Sequence, residues 1–231
     1  MIYKKENVQL RCIHRHTLAE HPQCFLKGLV KYEFKDDREW EKLTGLPWYN
    51  FPGYKMGYFD IEVDNLNADF GTVLSWCIKE RDGQIISDII TKEDLFNGEQ
   101  DKRIVNSFVE TLKQFDIVMG YYSDNFDMPY MRAKAMHFDI PFPDYGDLYH
   151  WDLYWTVRSK LKISRKSLDS ACGYLNIAGK THIDKEAWRH AKYGDVKSLE
   201  EVLDHNKWDV IILEKLHNKL SATRRWTRKS V

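Results

Sequence analysis

Residues 58–66 read Tyr58-Phe59-Asp60-Ile61-Glu62-Val63-Asp64-Asn65-Leu66. A short run of β-branched and aromatic residues predicts a strand here. Alternation along it puts the side chains of Asp60 and Glu62 on one face, and those of Phe59 and Ile61 on the other. Two neighbouring carboxylates repel, and burying them without a partner is costly. A hard divalent cation removes that difficulty, because carboxylate oxygens suit Mg²⁺ and Mn²⁺. A solvent-facing acidic strand is the alternative reading of the same residues.

Working downstream, residues 72–80 and 85–90 predict two more strands, joined through Arg81-Asp82-Gly83-Gln84. Asp-Gly between apolar runs is a strong hairpin signal, with both central residues expected at positive φ. Ile104, Phe108, Leu112 and Phe115 recur at helical spacing. Ile117 to Tyr121 is a short apolar run broken by Gly120, which predicts a buried strand. Pro129 suits the first turn of a helix reaching about His137. Residues 147–152 predict a final strand. Ser167 is placed to cap a helix through Leu175, and Asp195 to cap a longer amphipathic one carrying Leu199, Val202, Leu203, Val210, Leu213 and Leu216. Antiparallel hairpins followed by strand–helix–strand units imply an α/β fold whose mixed sheet is flanked by helices.

Two further acids fall where chemistry can use them. Asp127 follows the buried strand at its carboxyl end, where open α/β sheets place ligands. It also precedes a helix, so an N-cap is its alternative role. His205 and Asp209 are four apart on the last helix, hence on one face, and Asp209 lies beside the apolar stripe. An exposed His–Asp pair is the alternative there.

Taken in order, these pieces resemble the DEDD superfamily of 3′–5′ exonucleases, which has the RNase H-like fold. The closest likeness is to the proofreading exonuclease domains of family B DNA polymerases and their stand-alone relatives. YFDIEVDNL (58–66) looks like motif I, GYYSDNFDMPYM (120–131) like motif II and HNKWDVIILEKL (205–216) like motif III. SLDSACGYLNI (167–177) with Gly179-Lys180 is similar to the stretch between motifs II and III. The resemblance implies two divalent cations, Mg²⁺ or Mn²⁺, held by Asp60, Glu62, Asp127 and Asp209. One would activate a water and the other would stabilise the leaving oxygen. His205 stands where the polymerase-like branch carries Tyr, as a general base or as a group that orients the attacking water. Tyr122 stands where the polymerase pattern usually has Asn. Leu66 matches a motif I Leu that stacks on the last base in relatives, or else is an ordinary core residue. Phe126 is expected in the core beside the metal site. Lys166, Lys180, Arg224, Arg225 and Trp226 are candidate contacts to the nucleic-acid backbone and to an unpaired base.

The 231 residues carry thirty-five Lys plus Arg against thirty-five Asp plus Glu, with 43% apolar residues. Disorder is excluded by that balance, and no run approaches the roughly 18 apolar residues of a membrane helix. MIYKKENVQL at the start has no apolar core of a secretory signal, and four Cys are too few for a disulfide framework. A reducing, cytoplasmic compartment is expected. The charge is unevenly spread. Seven cations face three acids in the first 35 residues, and five cations face none from Asn218 to Val231. Basic ends around an acidic middle suit a metal site approached by a polyanion.

Residues 45–57, with three Gly and two Pro, read as a linker between an N-terminal segment (1–50) and the main domain (51–231). In the former, Cys12, His14 or His16, His21 and Cys24 fall within thirteen residues, a set able to close a tetrahedral Cys₂His₂ zinc site. A loop with chance Cys and His is the alternative. Cys77 and Cys172 are expected in the core. The leading expectation is a two-metal 3′–5′ exonuclease acting on a nucleic acid, single-stranded DNA mildly favoured over RNA, with a polymerase or other replication or repair protein as a possible partner. An RNase H-like endonuclease, a non-catalytic nucleic-acid-binding module and a structural calcium site are the rivals.

Overall fold

A computed structural model describes residues 8–12, 30–34, 55–144, 147–179 and 183–224. In the N-terminal segment, β1 (Val8–Cys12) and β2 (Val30–Phe34) form an antiparallel pair in which Cys12 lies opposite Val30. The main sheet contains β3 (Met56–Val63), β4 (Val73–Glu80), β5 (Ile85–Ile89), β6 (Ile117–Gly120) and β7 (Tyr149–Asp152) in the order β5-β4-β3-β6-β7. β3, β4 and β5 pair antiparallel, whereas β6 runs parallel to both β3 and β7. The expected mixed sheet is therefore present. The helices are α1 (Lys92–Phe96), α2 (Lys102–Leu112), α3 (Asp127–His137), α4 (Leu153–Lys160), α5 (Leu168–Tyr174), α6 (Lys185–Ala191) and α7 (Val196–Arg224).

The pleat of β3 decides which layer meets which. Phe59 and Ile61 join Phe108 and Leu112 of α2 and Met128 and Met131 of α3 in one core. Met56 and Tyr58 point the other way, into a core with Val210 and Leu213 of α7 and Leu153 of α4. Gly57 lies on the α2 side, where a Cβ would come within 2.7 Å of the Ile78 Cγ2 methyl and 2.9 Å of the Phe115 ring. Only glycine lets these layers approach so closely.

The β4–β5 connection departs from the expected two-residue turn. β4 ends at Glu80 and β5 begins at Ile85, which leaves four residues, 81–84, between them, and the Glu80 N–H donates to the Gln84 carbonyl at 2.9 Å. Asp82 adopts φ +53°, and Gly83 does not share the left-handed region. A longer loop needs one such residue where a two-residue turn needs two. Glu214 of α7 secures this corner by accepting the Asp82 N–H at 2.8 Å and pairing with Lys79 at 2.7 Å.

Asp101 precedes α2, yet its side chain does not cap that helix. It is fully buried, accepts the Val73 N–H at 2.9 Å and pairs with the Lys134 ammonium at 3.0 Å. Lys134 in turn donates to the Gly71 carbonyl, so one ion pair ties α3 to the loop entering β4. Removing one member leaves a buried charge uncompensated. Asp101→Ala is expected to cost about 3–5 kcal/mol, read as a fall in the urea midpoint; an unchanged midpoint contradicts this account.

Candidate active site

Even-numbered positions of β3 share the face toward α7. At the Met56 end that row is apolar, and two residues later it becomes acidic at Asp60 and Glu62. α7 matches the change along its length. His217 hydrogen-bonds the Tyr58 hydroxyl through Nδ1 at 2.8 Å, beside the apolar half of the row. Nearer the helix start, His205 Nε2 lies 3.6 Å from Glu62 Oε1 and 3.7 Å from Asp209 Oδ2. Among the described residues, one ligand atom each of Glu62, His205 and Asp209 lies within 4.8 Å of the others. The sequence reading thus placed three dispersed residues that the fold brings together. α7 owes its start to Asp195, whose carboxylate accepts the Ser198 N–H at 2.9 Å. Its 29 residues run to Arg224, beyond the stripe seen in the sequence.

Asp127 is not an N-cap. Phe126 holds that position without a side-chain capping bond, and Asp127 opens α3. Its Oδ1 instead accepts the N–H of Ile61 at 3.2 Å, between Asp60 and Glu62. Asp127 is buried, and burial raises its pKa to about 7 against the hydrogen bonds from its own N–H and that of Ile61. Asp60 stands opposite Cys77 across the β3–β4 ladder. Burial, and then the charge of Asp60, push the Cys77 thiol far above its ordinary range, so it stays protonated. Cys77 and Cys172 are both buried, as expected of core residues.

Three residues that support this site were not read from the sequence. Asp152 ends β7 and caps α4 by accepting the Tyr154 N–H at 2.9 Å. The same carboxylate accepts the N–H groups of Tyr122 at 2.8 Å and Asp124 at 3.1 Å, and so fixes the loop that leads into Asp127. Burial raises the pKa of Asp152. His150 bridges Ser123 Oγ at 2.8 Å and Asp124 Oδ1 at 3.0 Å. A Ser–His–Asp chain suggests nucleophilic catalysis, but Ser123 is fully buried and cannot meet a substrate. The chain is a brace for the loop, and burial lowers the pKa of His150. Gly120 is needed beside it, because a Cβ there would collide with the Ser123 side chain. The available signal was the position of His150 and Asp152 at the carboxyl end of a parallel strand.

A family model of the RNase H superfamily matches residues 57–221. The chain belongs to that superfamily. It is 28% identical over 192 residues to a DNA polymerase of Archaeoglobus fulgidus, which covers 74% of this chain and 23% of that protein. A DNA polymerase of Methanocaldococcus jannaschii is 30% identical over 99 residues, covering 38% of this chain and 6% of its own. Among solved structures, the family B DNA polymerase of the archaeon Pyrobaculum calidifontis superposes with a TM-score of 0.59 at 22% identity, over 74% of this chain and 25% of the other. The chain therefore spans about a quarter or less of the length of these relatives. They agree with the likeness read from the three motifs.

The remaining candidates in this RNase H-like domain divide by exposure. Leu66 is 77% exposed on the loop after β3, so it is not a core residue. Tyr122 is 48% exposed, and Phe126 is half-buried against Tyr130 with ring centroids 5.6 Å apart. The Lys166 ammonium donates to the carbonyls of Leu161, at 2.9 Å, and Ile163, so it orders its own loop. Arg224 closes α7. Lys180, Arg225 and Trp226 lie outside the described residues, as do His14, His16, His21 and Cys24. No helix among the described residues is long and apolar enough to cross a membrane.

The raised pKa of Asp127 fixes the sign of a pH effect. Its carboxyl keeps a proton in the folded chain up to about pH 7 but releases it near pH 4 in the unfolded chain. The folded state then binds more protons between these values, so stability falls as pH rises through that window. In EDTA, the melting temperature of the wild type is expected to drop from pH 5 to pH 8 relative to Asp127→Asn. Parallel curves would exclude the effect.

Proposed function

We propose that the chain is a metal-dependent nuclease that hydrolyses phosphodiester bonds at nucleic-acid 3′ ends, a 3′–5′ exonuclease. Superfamily membership supports a nuclease, and the clustering of Glu62, His205 and Asp209 beside Asp60 and Asp127 carries the reading. Carboxylate oxygens suit Mg²⁺ or Mn²⁺, and Glu62 and Asp209, mostly shielded from solvent, bring an oxygen each within 4.8 Å of the other. Asp60, Glu62, Asp127 and Asp209 would hold two such ions, which supply charge neutralisation at the phosphate and a more acidic water.

The protein's own groups then have separable tasks. Glu62 and Asp209 approach from strand and helix, so their relative position depends on the β3–α7 contact. His205 lies within 4 Å of both carboxylates. From there its imidazole is placed to hold or accept a proton of the attacking water. Asp127 is anchored by the Ile61 N–H, which holds the motif II loop against the strand. Exposed Leu66 is free to meet the terminal base. An internal nuclease would need no such end-seeking residue, which favours the exonuclease over the endonuclease reading. The relatives are DNA polymerases, which supports DNA as substrate and work beside a polymerase or other replication or repair protein.

With a 5′-labelled single strand, the wild type in Mn²⁺ is expected to give a ladder in single-nucleotide steps. Asp60→Ala and Asp209→Ala are each expected to abolish it, by at least a hundredfold, while keeping the far-ultraviolet circular dichroism. Undiminished hydrolysis in either variant sinks the assignment. Internal cuts without a ladder would instead favour the endonuclease. For residues 1–50, the ligand types gathered in thirteen residues, Cys12, His14 or His16, His21 and Cys24, support a structural zinc ion, although the spacing is tighter than that of a standard finger. Native mass spectrometry is expected to find one zinc per chain, lost after Cys12→Ser with Cys24→Ser; zinc-free wild type removes this proposal.

A further inference from the structure

Ser75 of β4 and Asn206 of α7 are both fully buried. Among the described residues, neither the Ser75 hydroxyl nor the Asn206 amide, at its oxygen or its nitrogen, has a hydrogen-bond partner. Burying polar atoms without partners opposes folding, so such groups in a packed interior call for a reason. An apolar residue of similar size would serve the core better at either position.

Their places in the fold converge on Glu62. Ser75 is paired with Glu62 across the β3–β4 ladder, as Cys77 is with Asp60. Directly opposed residues point to the same face with Cβ atoms about 4.5–5.5 Å apart. The Ser75 hydroxyl therefore lies on the α7 side, beside the base of the Glu62 side chain. On α7, Val210 belongs to the same core as Cys77. One turn before Val210 stands Asn206, and two residues before Cys77 stands Ser75. A helical turn rises about 5.4 Å and two strand residues about 6.6 Å, so the two steps nearly match. They also run the same way, because His205, next to Asn206, has its Nε2 3.6 Å from Glu62 Oε1. Asn206 is thus seated over Ser75, with Glu62 at their side.

We propose that Ser75 and Asn206 are positioning residues for Glu62. Their O–H and N–H groups hold one oxygen of its carboxylate and leave the oxygen near His205 to a divalent cation. A carboxylate only accepts hydrogen bonds, and a hydroxyl and an amide nitrogen both donate. A Glu side chain is long and rich in rotamers, so an unheld carboxylate loses more entropy when it is fixed as a ligand. Groups that orient a ligand act through it and touch neither ion nor substrate. This role accounts for a polar pair that the packing of α7 on β4 does not need. The inference deepens the nuclease reading and rests on its metal site.

Full-length wild type, Asn206→Leu and Ser75→Ala are titrated with Mn²⁺, the free ion being read by electron paramagnetic resonance. Melting temperatures are taken in EDTA. Each variant is expected to bind Mn²⁺ about tenfold more weakly than wild type, as loss of a group that orients a ligand does. Each is also expected to melt at or above the wild-type temperature, since no hydrogen bond of the unloaded fold is lost. A purely structural role predicts the reverse, a lower melting temperature with intact Mn²⁺ binding. Wild-type Mn²⁺ affinity in either variant overturns the proposal, and so does a loss of affinity that comes with a lower melting temperature. Should Asn206→Leu fail to fold, Ser75→Ala decides alone on the same two readings. Wild type that binds Mn²⁺ yet digests no strand sinks the nuclease reading and leaves this one standing, whereas wild type that binds no Mn²⁺ removes both.

Discussion

One row of side chains on β3 must be apolar at one end and acidic at the other, and a single helix has to cover both. Met56 and Tyr58 belong to the core under α7, whereas Glu62, four residues past Tyr58, lies within 3.6 Å of His205. The two halves of α7 answer with Val210, Leu213 and His217 on one side and His205 and Asp209 on the other. A helix rising about 1.5 Å per residue against a strand rising about 3.3 Å keeps this correspondence only in one register. Slipping either element by one residue would bring an acid against the apolar core or an apolar residue into the site. Packing and site geometry are thus the same constraint.

Gathering like charges in this way opposes folding, and the surrounding structure compensates with backbone donors. Asp127 rests on the Ile61 N–H, and Asp152 takes three N–H groups, two from the loop after β6 and one from α4. Both acids are buried, and burial raises both pKa values, but their settings differ. Asp152 closes a β-strand and begins a helix, so its bonds serve the chain path. Asp127 takes one donor from the strand it must face and one from its own N–H. A cation at the acidic face of β3 would supply what the backbone does not. Cys77, directly across the ladder from Asp60, adds no negative charge because its thiol stays protonated.

Much of this was legible because it depends on short-range rules. Alternation alone put Asp60 and Glu62 on one face of β3, and the helical period put His205 and Asp209 on one face of α7. The hairpin and its bounds were visible around Asp82-Gly83, though the turn geometry was not, since positive φ falls on Asp82 alone. α1 escaped notice despite a reciprocal cap between Thr91 and Asp94, because five residues are too few to show a period. The bonds of His150 to Ser123 and Asp124, and of Asp152 to Tyr122 and Asp124, were legible only as two polar residues at a strand's carboxyl end. They join residues 26 to 30 positions apart, and they exist only once β6 and β7 lie side by side.

A neutral chain that handles a polyanion has to do so locally. Its acids and cations are equal in number, so no general field draws nucleic acid toward it. Attraction has to be local, and at the acidic face of β3 the local sign is wrong until cations are bound. Within the fold, Asp152 ties α4 to the loop that leads into Asp127, because the carboxylate that caps α4 also holds Tyr122 in its strained turn. The path into one of the site's acids is thus set by another acid, buried outside the site.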